Sequence, residues 1–157
     1  MEQVLALFGE ASAEITLARV SNHAHPAHPG FEDLGEVALR VGSGSAYVRV
    51  DWLTPEGLPT WGDVRRLLTG TEGTLEVRKT VDPGGAPGSD HLILVDRQGV
   101  RRIEAAGTPV RFGELLLRDV ATGSSEAPPV ERCLRATELA LRAEALARQT
   151  HGTAPRR

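Results

Sequence analysis

Lysine is almost missing from this chain: Lys79 is the only one among 18 basic residues, the rest being arginine. Schiff-base or general-base chemistry on an amine therefore has almost no residue to run on. A single cysteine, Cys133, excludes an internal disulfide. No apolar run approaches a membrane span or a signal-peptide core. Neither sign of charge dominates, since 18 basic and 21 acidic residues are interspersed to a net charge of -3, so no field draws in a phosphate backbone or an anionic membrane. These absences speak against nucleic-acid and membrane partners and fit a reduced, cytoplasmic, soluble protein. A dinucleotide fingerprint is missing as well. Such a site needs a GxGxxG turn between a strand and a helix, so that backbone N–H groups and the helix N-terminus meet the pyrophosphate. The nearest echo, Gly42-Ser43-Gly44, is followed by a strand pattern and reads as a hairpin turn.

What is present suits one ordinary domain. The chain has 157 residues and 16.8 kDa, enough to bury roughly 70% of the surface its unfolded form exposes. Glu2 to Phe8 are good helix formers with Val4, Leu5 and Phe8 on one face, but nothing caps their start, so this helix reads as the continuation of a longer one. Ala13 to Val20 alternates Ile15, Leu17 and Val20 against Glu14, Thr16 and Arg19 with the period of a half-buried strand. A loop rich in His, Pro and Gly runs from Ser21 to Leu34. Glu36 to Val41 and Ala46 to Leu53 flank a glycine-containing turn and predict a hairpin. Pro55, Gly57, Pro59 and Gly62 forbid a continued ladder, because proline supplies no N–H and glycine weakens a strand interior. Two further hairpins follow, from Val64 to Thr80 and from His91 to Ala105. Helical spacing then starts at Arg111, and Pro129 opens a longer helix with Val130, Leu134, Thr137 and Leu141 expected on its apolar face.

Seven strands joined mostly by short turns, followed by helices, predict an α+β fold: a mostly antiparallel open sheet with helices packed on one face. Residues 1–149 form the domain, and 150–157, which lack periodicity, are expected to be a disordered tail. The opposite sheet face must then be polar or find a partner. With Val48, Val50 and Trp52 directed to the helices, that face carries Tyr47, Arg49, Asp51 and Leu53, a mixture suited to a protein interface.

Several stretches carry a resemblance. SAEITLARVSNHAHPAHPGFEDLGEVALRV, DWLTPEGLPTWGD, GTEGTLEVRK and PPVERCLRATELALRAEAL keep their order and separation, and together they resemble the C-terminal domain of the Gfo/Idh/MocA family of NAD(P)-dependent dehydrogenases. The resemblance covers nearly the whole chain. It implies a two-domain sugar, polyol or inositol-type dehydrogenase, in which hydride passes between a substrate carbinol carbon and the nicotinamide in a cleft between domains. It further implies that this sheet supplies part of the substrate pocket, and that its open face, with Tyr47, Arg49 and Asp51, makes a homo-oligomer contact. The family's Rossmann domain has no counterpart here. Its catalytic lysine belongs to that missing half, and its aspartate and histidine pair lies on the helix whose tail resembles Glu2 to Phe8. No catalytic or cofactor-binding residue is therefore assigned to this chain, and NAD(P) is expected only for a complete enzyme. The alternative is a free-standing, non-catalytic ligand-binding or assembly module of the same fold, holding a carbohydrate-like ligand or pairing with a separate nucleotide-binding chain. A hydrolase built on the histidine loop ranks below both.

The substrate-pocket candidates are His23, His25, His28, Trp61, Asp90 and His91. The three loop histidines form an HxHxxH cluster that could offer imidazoles to zinc. The interleaved Pro26 and Pro29, and the lack of a well-spaced acidic or cysteine ligand, point away from a metal. The resemblance instead puts this loop near the substrate cleft, where imidazoles can hydrogen-bond hydroxyls. Asp90 and His91 open a strand after a Gly-rich loop, a position where exposed polar groups often bind ligands, and an ordinary strand-end pair fits them at least as well. Of the two tryptophans, Trp52 is expected in the core and Trp61 in the pocket or an interface. Lys79 reads as a solvated strand lysine, and Cys133 as a small buried apolar residue.

Overall fold

The structure is a computed structural model that describes residues 1–9, 12–105 and 107–151, except the side chains of Thr150 and His151. It contains α1 (Glu2–Phe8), β1 (Glu14–Ser21), β2 (Leu34–Val41), β3 (Gly44–Asp51), β4 (Arg65–Thr69), β5 (Gly73–Arg78), β6 (His91–Asp96), β7 (Gly99–Ile103), α2 (Phe112–Thr122) and α3 (Val130–His151). Each element lies where the sequence predicts one, and the class is α+β with antiparallel pairing throughout. The strands fall into two sheets, β1-β2-β3 and β4-β5-β6-β7, rather than one. The reason is the proline- and glycine-rich stretch after β3, which removes ladder donors where a continuous sheet would need them. Helix α3 runs to His151, and residues 152–157, most of the expected tail, lie outside the described residues.

The chain divides into two compact units: residues 1–53 with 111 onward, and Thr54–Val110. In the first unit β2 pairs on both sides. Val37 stands opposite Ala18 and Val48, and Glu36 opposite Arg19 and Arg49. Alternation therefore sends Ala18, Val20, Val37 and Val48 to one face and Arg19, Glu36 and Arg49 to the other. The apolar face meets α3. Ala18 packs with Ala143 and Ala147, with Met1, Ile15, Val20 and Val37 around them, and Leu5 of α1 packs with Ala136 and Leu139. The Arg132 guanidinium donates to Glu2 at 2.7 Å and ties α3 to α1.

The helix face that is buried differs from the one the leucines suggest. Ala136, Leu139, Ala143 and Ala147 form the buried stripe, whereas Val130, Leu134 and Leu141 are more than 60% exposed, and Thr137 and Cys133 are exposed too. Alanine lets a helix axis approach a sheet closely, so shape and contact area decide the face instead of the hydrophobicity of single residues. Leu5, from the apolar face that α1 shares with Val4 and Phe8, is fully buried against α3. Val50 and Trp52, expected toward the helices, are also exposed. Edge strand β3 lies two strands from β1, where α3 sits, and Val50 faces Gly35, which offers no side chain to pack against.

The second unit is a four-stranded antiparallel meander. At the end of the β5–β6 ladder Gly73 pairs with Asp96 so closely that a Cβ there would collide with the Val95 carbonyl. Lys79, just past β5, is exposed as expected.

The alanine stripe makes a sharp contrast measurable. Leu139→Ala should cost about 2–5 kcal/mol, while Leu134→Ala on the other side of the same helix should change stability by less than about 0.5 kcal/mol. Urea unfolding of the two variants checks this, and a larger loss for Leu134→Ala than for Leu139→Ala would mean that the leucine stripe is the buried one.

Candidate functional site

The loop between β1 and β2 is built on two polar side chains. Asp33 is completely buried. Its carboxylate accepts the backbone N–H of His23 at 2.9 and 3.0 Å and of Ala24 at 2.7 Å. Its Oδ2 also lies 3.0 Å from His25 Nδ1. Asn22 works from the other side: its Oδ1 accepts the His25 N–H at 2.9 Å, and its Nδ2 donates to the carbonyls of His25 and His28, both at 2.8 Å. A segment with two prolines lacks ladder partners, so these side chains supply the hydrogen bonds that its backbone requires. Burial by itself would raise the Asp33 carboxyl. The N–H groups of Ala24 and His23, together with His25, overcome it and hold the pKa at about 2.

All three loop histidines are thus brought into one segment. His25, Ala27, His28, Pro29, Gly30 and Phe31 line a shallow, open depression of about 610 Å³. Phe31 stands edge-on to the His25 ring, with centroids 4.8 Å apart, and near Trp52 at 6.1 Å. Trp52, 60% exposed, therefore belongs to this aromatic cluster and not to the core. His23 is held through Nε2 by Ser21 Oγ at 3.0 Å. Among the described residues no group of three or more His, Cys, Asp or Glu side chains is arranged to hold a metal ion.

The other three pocket candidates belong to the second unit. Trp61 is 90% exposed. Asp90 takes a left-handed backbone, with φ of 58°, and its carboxylate accepts the Ser89 hydroxyl at 3.0 Å. His91, expected to offer an exposed polar group, is buried where β6 begins, and its Nε2 lies 3.2 Å from the Gly88 carbonyl. It behaves as a histidine satisfied by its own loop.

The open face of the first sheet is a charged network. Glu36 is buried beneath its neighbours, accepting the Tyr47 hydroxyl and the Arg19 guanidinium. Arg49 donates to Asp51 at 2.7 Å, and Asp51 also accepts the Leu53 N–H at 3.0 Å. Tyr47 and then Arg19 hold the Glu36 carboxyl below its ordinary range, and the same bond to Glu36 raises the Tyr47 phenol. The expected face residues Tyr47, Arg49 and Asp51 are therefore side by side. Sequence reasoning missed Asn22, Asp33 and Glu36. The usable signal was two amide- or acid-bearing residues bracketing a proline-rich loop, and an acid alone among apolar residues in β2.

No protein-family model matches the chain, and no curated protein matches it. Solved structures do match, two of them as follows. One is the crystal structure of a putative oxidoreductase from Erwinia carotovora atroseptica, 37% identical, with a TM-score of 0.84 over 94% of this chain and 44% of that one. The other, a putative oxidoreductase from Thermotoga maritima, is 23% identical with a TM-score of 0.71 over 96% of this chain and 42% of that one, and shares the fold. The chain spans less than half the length of either.

Two outcomes follow from the carboxylates. The depressed Asp33 pKa favours the folded state above the ordinary carboxyl value of 3.8, and that contribution is lost as the pH falls toward about 2. The urea midpoint should therefore drop across this window, and Asp33→Asn, already less stable at neutral pH, should lack that part of the drop. Tyr47 is the only tyrosine, so an ultraviolet titration reads it alone. Its ionisation should lie above the ordinary value of 10 and move back toward it in Glu36→Gln; a midpoint at or below 10 in the parent chain would mean that the network is not formed.

Proposed function

We propose that this chain is the substrate-side domain of an NAD(P)-dependent oxidoreductase of the Gfo/Idh/MocA type, acting on a sugar, polyol or inositol-like substrate. The observation that carries the proposal is the 37% identity to the Erwinia protein over 94% of this chain but only 44% of that one. In this reading the histidine loop contributes to the substrate pocket, and the open face with Tyr47, Arg49 and Asp51 makes the contact between copies. The exposed apolar residues Leu117, Val120, Leu134 and Leu141 fit cover by further protein, since a soluble domain rarely leaves so many large side chains in water.

NAD(P) belongs to a complementary domain. The nearest glycine-rich turn, at Gly42 and Ser43, joins the antiparallel strands β2 and β3, so it presents no helix N-terminus to a pyrophosphate. This chain is accordingly read as inactive by itself, and hydride transfer is assigned to none of its residues.

A chimaera tests the proposal: this chain replaces the matched 44% of the Erwinia protein. The chimaera should bind NAD+ or NADP+ and reduce it to NADH or NADPH as a polyol is oxidised to the carbonyl compound, while this chain alone should bind neither. A folded chimaera that binds no nicotinamide cofactor, or tight binding by the isolated chain, would overturn the reading.

A further inference from the structure

We propose that Asp33 is a positioning residue that fixes the tautomer of His25, so that His25 Nε2 stands at the depression as a hydrogen-bond acceptor for a ligand hydroxyl. The acceptor role rests on reading this loop as part of a substrate pocket; the tautomer does not. An ionised carboxylate only accepts hydrogen bonds. With Asp33 Oδ2 3.0 Å from Nδ1, the proton of a neutral His25 sits on Nδ1, and Nε2 carries the free lone pair. Which nitrogen of a histidine is protonated is set by the bond the other one makes, and here the partner cannot turn away. Asp33 is fully buried and clamped by two backbone N–H groups.

The remaining nitrogen is available. Among the described residues Nε2 of His25 has no hydrogen-bond partner, and it is not among the buried unpaired side-chain atoms. The side chain is 40% exposed and lines the depression with His28 and Phe31. The edge-on Phe31 ring and the Asn22 clamps on the His25 backbone restrict the imidazole from both ends. His23 differs, because its Nε2 is already taken by Ser21. A held ring with one satisfied and one open nitrogen is the arrangement that recognises a donor hydroxyl at little ordering cost.

Long-range proton–nitrogen NMR on the 15N-labelled chain, well above the imidazole titration range, tests this. His25 should show a pyrrole-type Nδ1 and a pyridine-type Nε2, and Asp33→Asn should reverse or erase that preference. Adding myo-inositol should shift the Nε2 resonance of His25 more than those of His23 and His28. A protonated Nε2 in the parent chain would overturn the positioning role. An Nε2 resonance unmoved by myo-inositol would overturn the acceptor role. Should Asp33→Asn fail to fold, His25→Ala keeps the Asp33 backbone clamps and must abolish the inositol-induced amide shifts of residues 27–31; their persistence also overturns the acceptor role. None of these failures touches the chimaera result, which reads cofactor binding through another part of the enzyme.

Discussion

The first unit depends on how closely α3 can lie against β1. Its strands offer small and branched side chains, Ala18, Val20 and Val37, and the helix answers with Ala136, Ala143 and Ala147 around Leu139. Small residues on both sides bring backbone close to backbone, where dispersion contacts are dense. That contact orients the sheet. With one face committed to α3, Arg19, Glu36, Tyr47 and Arg49 are left on the other, and the loop leaving β1 is carried on the end of a braced strand. The histidine cluster and the charged face are both consequences of the same packing choice.

Much of this architecture was legible in the residues. Turn chemistry placed the strands, because glycine and proline interrupt ladders for reasons local to the chain. Pro129 marked the start of α3 within one residue. The failures are equally physical. The stripe of Val130, Leu134 and Leu141 has correct helical spacing, yet spacing alone does not choose between two apolar stripes on one helix. That choice needs the shape of the opposing sheet. Trp52 and Val50 were read from alternation alone, which says nothing about how far along β3 the cover of a helix centred on β1 extends.

The candidate site was half visible. Histidines at positions 23, 25 and 28 draw attention as a group, but the residues that give them roles are plain ones. Asp33 follows Glu32 in what reads as an ordinary polar loop, and only the fold shows that one carboxylate is buried and holding three partners. Asp90 and His91 show the reverse case: the sequence leaves a ligand site and an ordinary strand-end pair open, and the local bonds of His91 to the carbonyl of Gly88 and of Asp90 to the hydroxyl of Ser89 suit the strand-end pair.

The first unit is assembled from segments far apart in the chain, with residues 54–110 making a separate unit between them. Roughly 80 residues separate the end of β3 from the start of α3. At synthesis rates of about 5–20 residues per second, the three-stranded sheet waits on the order of 4–16 seconds for the helix that covers it. During that interval Ala18, Val20 and Val37 are uncovered while the four-stranded meander, whose contacts are all local, can close on its own. Helix α3 is thus what commits the first unit to its native state, and a ribosome pausing before Val130 would hold open the sheet face that α3 covers.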